Sequence, residues 1–203
     1  MPRTIESLFL SGPAGRLEAL LEAPEGAPRE VALVCHPHPQ HGGTMHNKVV
    51  YRIARALRNS GAVVLRFNYR GVHQSEGRYA HGEGELDDAR AALRYLRGRY
   101  PRLPVTLAGF SFGSRIVLRL ACEAQPRRVI AVGFPAAYRT DVKQCGMPLA
   151  FVQSTHDQYG SVADLKDMFG TLSEPKQLVL VEAEDHFFAG GLDRLEEALA
   201  RLD

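Results

Sequence analysis

Short apolar, β-branched runs alternate with segments of helical period along most of this chain, and that alternation limits the fold more than any other feature. EVALVCHP, AVVLRFNY, PVTLAGF, RVIAVGFP, MPLAFVQST and KQLVLVEA read as buried strands. Between the first two, TMHNKVVYRIARALRNSG reads as a helix closed by Gly61. ELDDARAALRYLRGRY sets Leu86, Ala89, Leu93, Leu96 and Tyr100 on one face, with acids in its first turn to suit the helix dipole. SRIVLRLACEA, SVADLKDMFGTL and GLDRLEEALARL are further helices, and the last brings Leu192, Leu195, Leu199 and Leu202 together. Ahead of them, TIESLFLSG and GRLEALLEAP read as a hairpin turning through Gly12, Pro13 and Gly15. The pattern predicts an α/β fold: a mainly parallel, doubly wound sheet with helices on both faces and an antiparallel N-terminal hairpin. RGVHQSEGRYAHGEG is a long loop inside it. At 203 residues the chain is expected to form one domain, 1–203, with a sizeable core.

Composition narrows the class. A hydrophobic fraction of 45% and a charged fraction of 24% are those of an ordinary globular protein. Net charge is +2 and the Lys and Arg residues are scattered, so no basic stripe points to nucleic acid. No apolar run approaches the roughly 18 residues of a membrane span. The opening MPRTIESLFLSG carries an acid and lacks a long apolar core, so it does not read as a secretory signal. Cys35, Cys122 and Cys145 are an odd count without metal-type spacing, which predicts free thiols and a cytoplasmic setting.

In α/β sheets of this kind, function gathers in the loops after the carboxyl ends of strands. One such junction is GFSFG, between PVTLA and SRIVLRLACEA. Gly-x-Ser-x-Gly where a strand meets a helix is a nucleophile elbow: a strained turn that projects the Ser111 hydroxyl from the sheet edge. Gly109 and Gly113 leave room for a helix that departs abruptly. The Phe112 amide lies at the helix start, where unpaired N–H groups favour developing negative charge.

A serine hydroxyl needs a base to take its proton. Of eight histidines, His186 in EAEDHFF directly follows the last strand. An acid between nucleophile and base in the chain should orient it. Asp157 in QSTHDQYG fits, with Asp141 one strand earlier as its rival, and the order Ser, Asp, His is the one such sheets use. The second oxyanion donor should come from the loop HPHPQHGGTMHN. Pro37 and Pro39 have no N–H, which leaves the His38 amide, with Gln40 next. His36, His38 and His41 also suggest a metal cluster, but no carboxylate or thiol at useful spacing completes it. Cys35 ends a buried strand and reads as a small core residue.

HPHPQHGGTMHNKVV, FNYRGVHQSEG, HGEGELDDA, LAGFSFGS and ADLKDMF with EAEDHFF together resemble the small bacterial α/β-hydrolase proteins of the dienelactone-hydrolase-like branch, over nearly the whole chain. The resemblance implies an α/β-hydrolase fold without a lid domain and a triad of Ser111, Asp157 and His186. Dienelactone hydrolases proper use a cysteine nucleophile. Ser111 at that position favours general ester hydrolysis, and His73 stands where glycine is usual. The expected site is open, edged by Met45, Tyr138, Tyr159, Phe187 and Phe188. The expected activity is that of a carboxylesterase acting on a small-molecule acyl substrate, without a cofactor, metal, nucleic acid or membrane. A thioesterase, peptidase or perhydrolase on the same machinery, and a binding protein that keeps the fold, are the alternatives. Exposed sheet edges leave a homodimer open.

Overall fold

The structure, a computed structural model, describes residues 4–138, 142 and 145–202. A hairpin of β1 (Thr4–Gly12) and β2 (Gly15–Ala23) opens the chain. There follow β3 (Glu30–Cys35), α1 (Lys48–Asn59), β4 (Ala62–Phe67), α2 (Glu83–Arg99), β5 (Val105–Phe110), α3 (Phe112–Ala124) and β6 (Arg128–Val132). The chain ends through β7 (Leu149–Ser154), α4 (Val162–Gly170), β8 (Lys176–Val181) and α5 (Leu192–Ala200). All eight strands form one sheet in the order β1-β2-β4-β3-β5-β6-β7-β8. The hairpin joins β4 antiparallel through β2, and the strands from β4 to β8 run parallel. The expected mainly parallel, doubly wound sheet with an antiparallel opening hairpin is the one observed, and the described residues form no lid over it.

Strands β3 to β6 are buried along their whole length, because helices cover both faces. One face packs Leu86, Leu93, Ile116, Leu120 and Leu165 of α2, α3 and α4 over Leu33, Leu107 and Phe151. The other packs Val49, Ile53 and Leu57 of α1 with Leu195 and Leu199 of α5 over Val34, Ala108 and Ile130. Leu202 is buried in this second layer and Leu192 packs against it, so the four leucines of the last helical run do share one face. Asn47 caps α1 by accepting the Val49 amide at 2.9 Å, and Gly61 follows that helix at φ +96°.

Connectivity creates the crevice. From β3 the chain crosses through α1 to β4 on one side, and from β4 it returns over β3 to β5 on the other. The loop after β3 therefore leaves toward one face of the sheet and the loop after β5 toward the opposite face. Their divergence opens a cleft at the carboxyl ends of adjacent strands.

The cysteine expectation needs correction. The sulfurs of Cys122 and Cys145 are joined, with Cα atoms 5.3 Å apart, well inside disulfide range. Only Cys35 is free, and it is buried. An odd count and irregular spacing say nothing about which thiols the fold brings together.

Candidate active site

Ser111 stands between β5 and α3 at φ +55°, ψ −118°, a backbone strain that a non-glycine residue adopts only when its surroundings hold it there. Its own amide is bound to the Val132 carbonyl of β6 at 2.9 Å, which fixes the turn from the strand side. The two flanking glycines are steric necessities. A Cβ on Gly109 would run into the Gly113 carbonyl, and one on Gly113 into the carbonyls of Cys35 and His36. The latter contact is how the elbow helix closes on the end of β3.

The loop after β3 is braced from several sides. His36 is fully buried: its Nδ1 donates to the Pro37 carbonyl at 2.7 Å and its Nε2 accepts the Tyr69 amide at 3.1 Å. Both nitrogens are thus committed, and burial pushes its pKa down to about 3. Met45 anchors the far end, its amide on Asn68 Oδ1 at 2.8 Å and its carbonyl on the Arg66 guanidinium at 2.7 Å. Between these anchors, Nδ1 of His38 accepts the Gln40 amide at 3.2 Å. That leaves Nε2 to donate to the Tyr79 hydroxyl at 3.1 Å. Burial, then the neighbouring His41, lowers the His38 pKa and keeps this neutral form. Gly43 is required where the loop doubles back, since a Cβ there would strike the carbonyls of Pro37 and His38.

The backbone amides of His38, in this loop, and of Phe112, first in α3, have no hydrogen-bond partner among the described residues. The Gln40 amide is already used by the His38 ring.

His186 follows β8 and packs its ring among Phe110, Tyr159 and Phe187, with centroids 4.8, 4.9 and 5.3 Å away. Its Nδ1 donates to Asp157 Oδ2 at 2.7 Å, and both residues are buried. Asp157 in turn accepts the amides of Tyr159 (2.8 Å) and Gly160 (3.0 Å) on Oδ1 and the Gln153 amide group (2.9 Å) on Oδ2. A carboxylate so held fixes the imidazole through Nδ1, and His186 is among the residues that line the cleft. Asp141, the other acid weighed above, lies outside the described residues.

Ser111, Phe112, His38 and His186 line one cleft of about 450 Å³, with His41, Arg115, Tyr138, Tyr159 and Phe187 among the other walls. Of the expected rim, Met45 and Phe188 are buried in the interior instead, the first as loop anchor and the second in the layer of α1 and α5. His73 takes φ +48°, the left-handed conformation that glycine suits, and lies outside the cleft lining.

A family model described as alpha/beta hydrolase fold matches residues 40–134. An alpha-beta serine hydrolase homologue from Coxiella burnetii is 37% identical, with a TM-score of 0.92 over 97% of this chain and 96% of the other. The chain belongs to the α/β-hydrolase family. A second structure similar to this hydrolase, described as an a/b serine hydrolase without lid, comes from Xanthomonas campestris: 37% identity, TM-score 0.91, covering 98% and 93% of the two chains. An uncharacterized protein of Rickettsia prowazekii is 32% identical to the hydrolase over 95% of this chain and 86% of its own.

Three members of the hydrolase's site escaped the sequence reading. Gln153 interrupts the apolar run of β7, is fully buried, and ties Asp157 to the carbonyls of Gly160 (2.8 Å) and Phe134 (3.2 Å). A polar residue inside LAFVQS was the available signal. Tyr79 comes from a long loop to hold the His38 ring, and Arg115, which reaches the cleft from the elbow helix one turn beyond Ser111, was legible in principle.

Proposed function

We propose that this hydrolase is a serine carboxylesterase acting on a small ester or related acyl compound. One observation carries the reading: a strained serine, an imidazole held by a buried carboxylate, and two unpaired amides share one cleft. Ser111 Oγ attacks the acyl carbonyl while His186 Nε2 takes its proton. The carbonyl oxygen becomes an oxyanion held by the amides of Phe112 and His38. His186 returns the proton to the departing alkoxide as the ester bond breaks, and Ser111 keeps the acyl group. Water, deprotonated by the same nitrogen, then frees the acid and restores the serine. Asp157 holds the imidazole in the required tautomer and stabilises its charged form throughout. The loop's braces matter because an oxyanion donor acts only if it is in place before the charge forms.

The test needs no knowledge of the substrate. A fluorophosphonate probe should label Ser111, identified by mass spectrometry of the modified peptide, and short 4-nitrophenyl esters should be hydrolysed. Ser111→Ala should lose both, with the rate falling by roughly six orders of magnitude. Labelling elsewhere with Ser111 untouched would overturn the assignment.

A further inference from the structure

The cleft carries a charge that the ester chemistry above does not use. Arg115 lies one helical turn beyond Ser111, half-exposed, with its side chain in the cleft wall. It makes no hydrogen bond or ion pair with any described residue. Nearby arginines on the same pair of helices are matched: Arg119 holds Glu83 at 2.7 Å and Arg90 holds Glu123 at 2.6 Å. No Asp or Glu is among the described residues that line the cleft. Glu85 is the acid whose charge reaches His38 and Tyr79, but it is buried and accepts the amides of Ala80 (2.9 Å) and Gly82 (2.7 Å). Arg115 is therefore a guanidinium drawn partly out of water in the cleft wall, with no carboxylate supplied by the described residues that line the cleft.

We propose that Arg115 binds a carboxylate of the substrate, so that the preferred compounds are half-esters of dicarboxylic acids or their close analogues. This rests on the serine-hydrolase reading of the same cleft. A guanidinium presents a planar fork that a carboxylate meets with two parallel hydrogen bonds, and one such fork suits a monoanion. The spacing limits the compound. One turn of helix is about 5.4 Å, and the arginine side chain adds reach along the wall. A chain of about two to four methylenes between the scissile carbonyl and the carboxylate spans that distance. The walls beside it are aromatic, Tyr138, Tyr159 and Phe187, which suits such a chain.

The experiment compares mono-4-nitrophenyl glutarate with its methyl ester, which differs only in the free carboxylate. The wild-type protein should show a kcat/KM ratio, acid over methyl ester, of at least about ten at low salt, falling as salt is raised. In Arg115→Gln the ratio should drop to about one, and in Arg115→Lys it should be intermediate, because an ammonium keeps the charge without the fork. Melting curves and labelling of Ser111 by a neutral fluorophosphonate are recorded for each variant. A wild-type ratio near one, or a ratio that survives Arg115→Gln, sinks the Arg115 assignment while labelling and hydrolysis leave the esterase reading standing. If no ester is cleaved and no label enters, the esterase reading fails instead. Calorimetric binding of glutarate then decides: wild-type affinity at least about ten-fold above that of Arg115→Gln upholds the carboxylate site, and equal or absent binding overturns it.

Discussion

At the scale of single residues, the site is built by groups that have no freedom left. Gly113 is pinned by the carbonyls that close on it, Ser111 by strain, and His36 by having both ring nitrogens bonded in the interior. The His36 arrangement has a thermodynamic signature. Its folded pKa of about 3 lies below the ordinary histidine value of 6.5, so the unfolded chain binds the extra proton between those values. The contribution is complete above about 6.5 and is lost as the pH falls toward about 3, at no more than about 1.4 kcal/mol per pH unit. Urea unfolding of the wild type between pH 7 and pH 4 should therefore show a steeper loss of stability than His36→Gln. Equal slopes would mean that His36 is not the buried neutral group described. Protonation would also take the acceptor away from the Tyr69 amide, so the loop carrying His38 should loosen in the same range.

At the scale of elements, each functional group sits where one element ends and another begins. Ser111 follows β5, Asp157 and His186 follow β7 and β8, and the His38 loop follows β3. Strand ends are held by sheet registration, so these groups inherit the rigidity of the sheet while remaining at its edge. Gln153 extends that rigidity from β7 into the turn that carries Asp157. The Cys122–Cys145 bond adds a tether between α3, the helix that starts at the elbow, and the stretch just before β7. Thiol titration of the unreduced, unfolded protein should find one reactive cysteine, Cys35. Reduction should lower stability by about 2–4 kcal/mol, the usual cost of opening such a loop. Three reactive thiols in protein purified without reductant would show that the bond does not form.

At the scale of the whole molecule, two apolar layers lie on opposite faces of one continuous sheet, and the interior strands β3 to β6 serve both. A layer cannot be lost without exposing the strands that the other layer also needs. Residues 1–203 should therefore behave as one domain, with a single cooperative thermal transition and coincident loss of far-ultraviolet and near-ultraviolet dichroism. Two resolved transitions would show that the hairpin or one helical layer unfolds by itself. Among the described residues no lid stands between solvent and the cleft, so selectivity falls to the walls themselves, and Arg115 puts a charge into those walls.

The sequence alone determined the sheet and its elbow. Strand and helix periodicities are local, and Gly-x-Ser-x-Gly at a strand–helix junction reports a turn whose sterics depend on near neighbours. His186 and Asp157 were legible as loop residues after strands, because chain order follows strand order in this kind of sheet. Pairings that depend on distant parts of the chain were not legible. Sequence chose Asp157 for His186 over its rival Asp141 by chain order alone; the hydrogen bond to Asp157 is a product of how β7 and β8 lie together. Met45 and Phe188 read as rim residues because they flank loops, and the fold turned them inward. Cys122 and Cys145 meet because α3 passes the approach to β7, a proximity that no spacing rule encodes. Arg115 is visible in the sequence as one charge among 25 Lys and Arg residues, and only the tertiary structure shows it without a carboxylate among the described residues of the cleft. Local sterics and periodicity are written in the order of residues; which charges are matched and which side chains are buried depends on the packing of elements far apart in the chain.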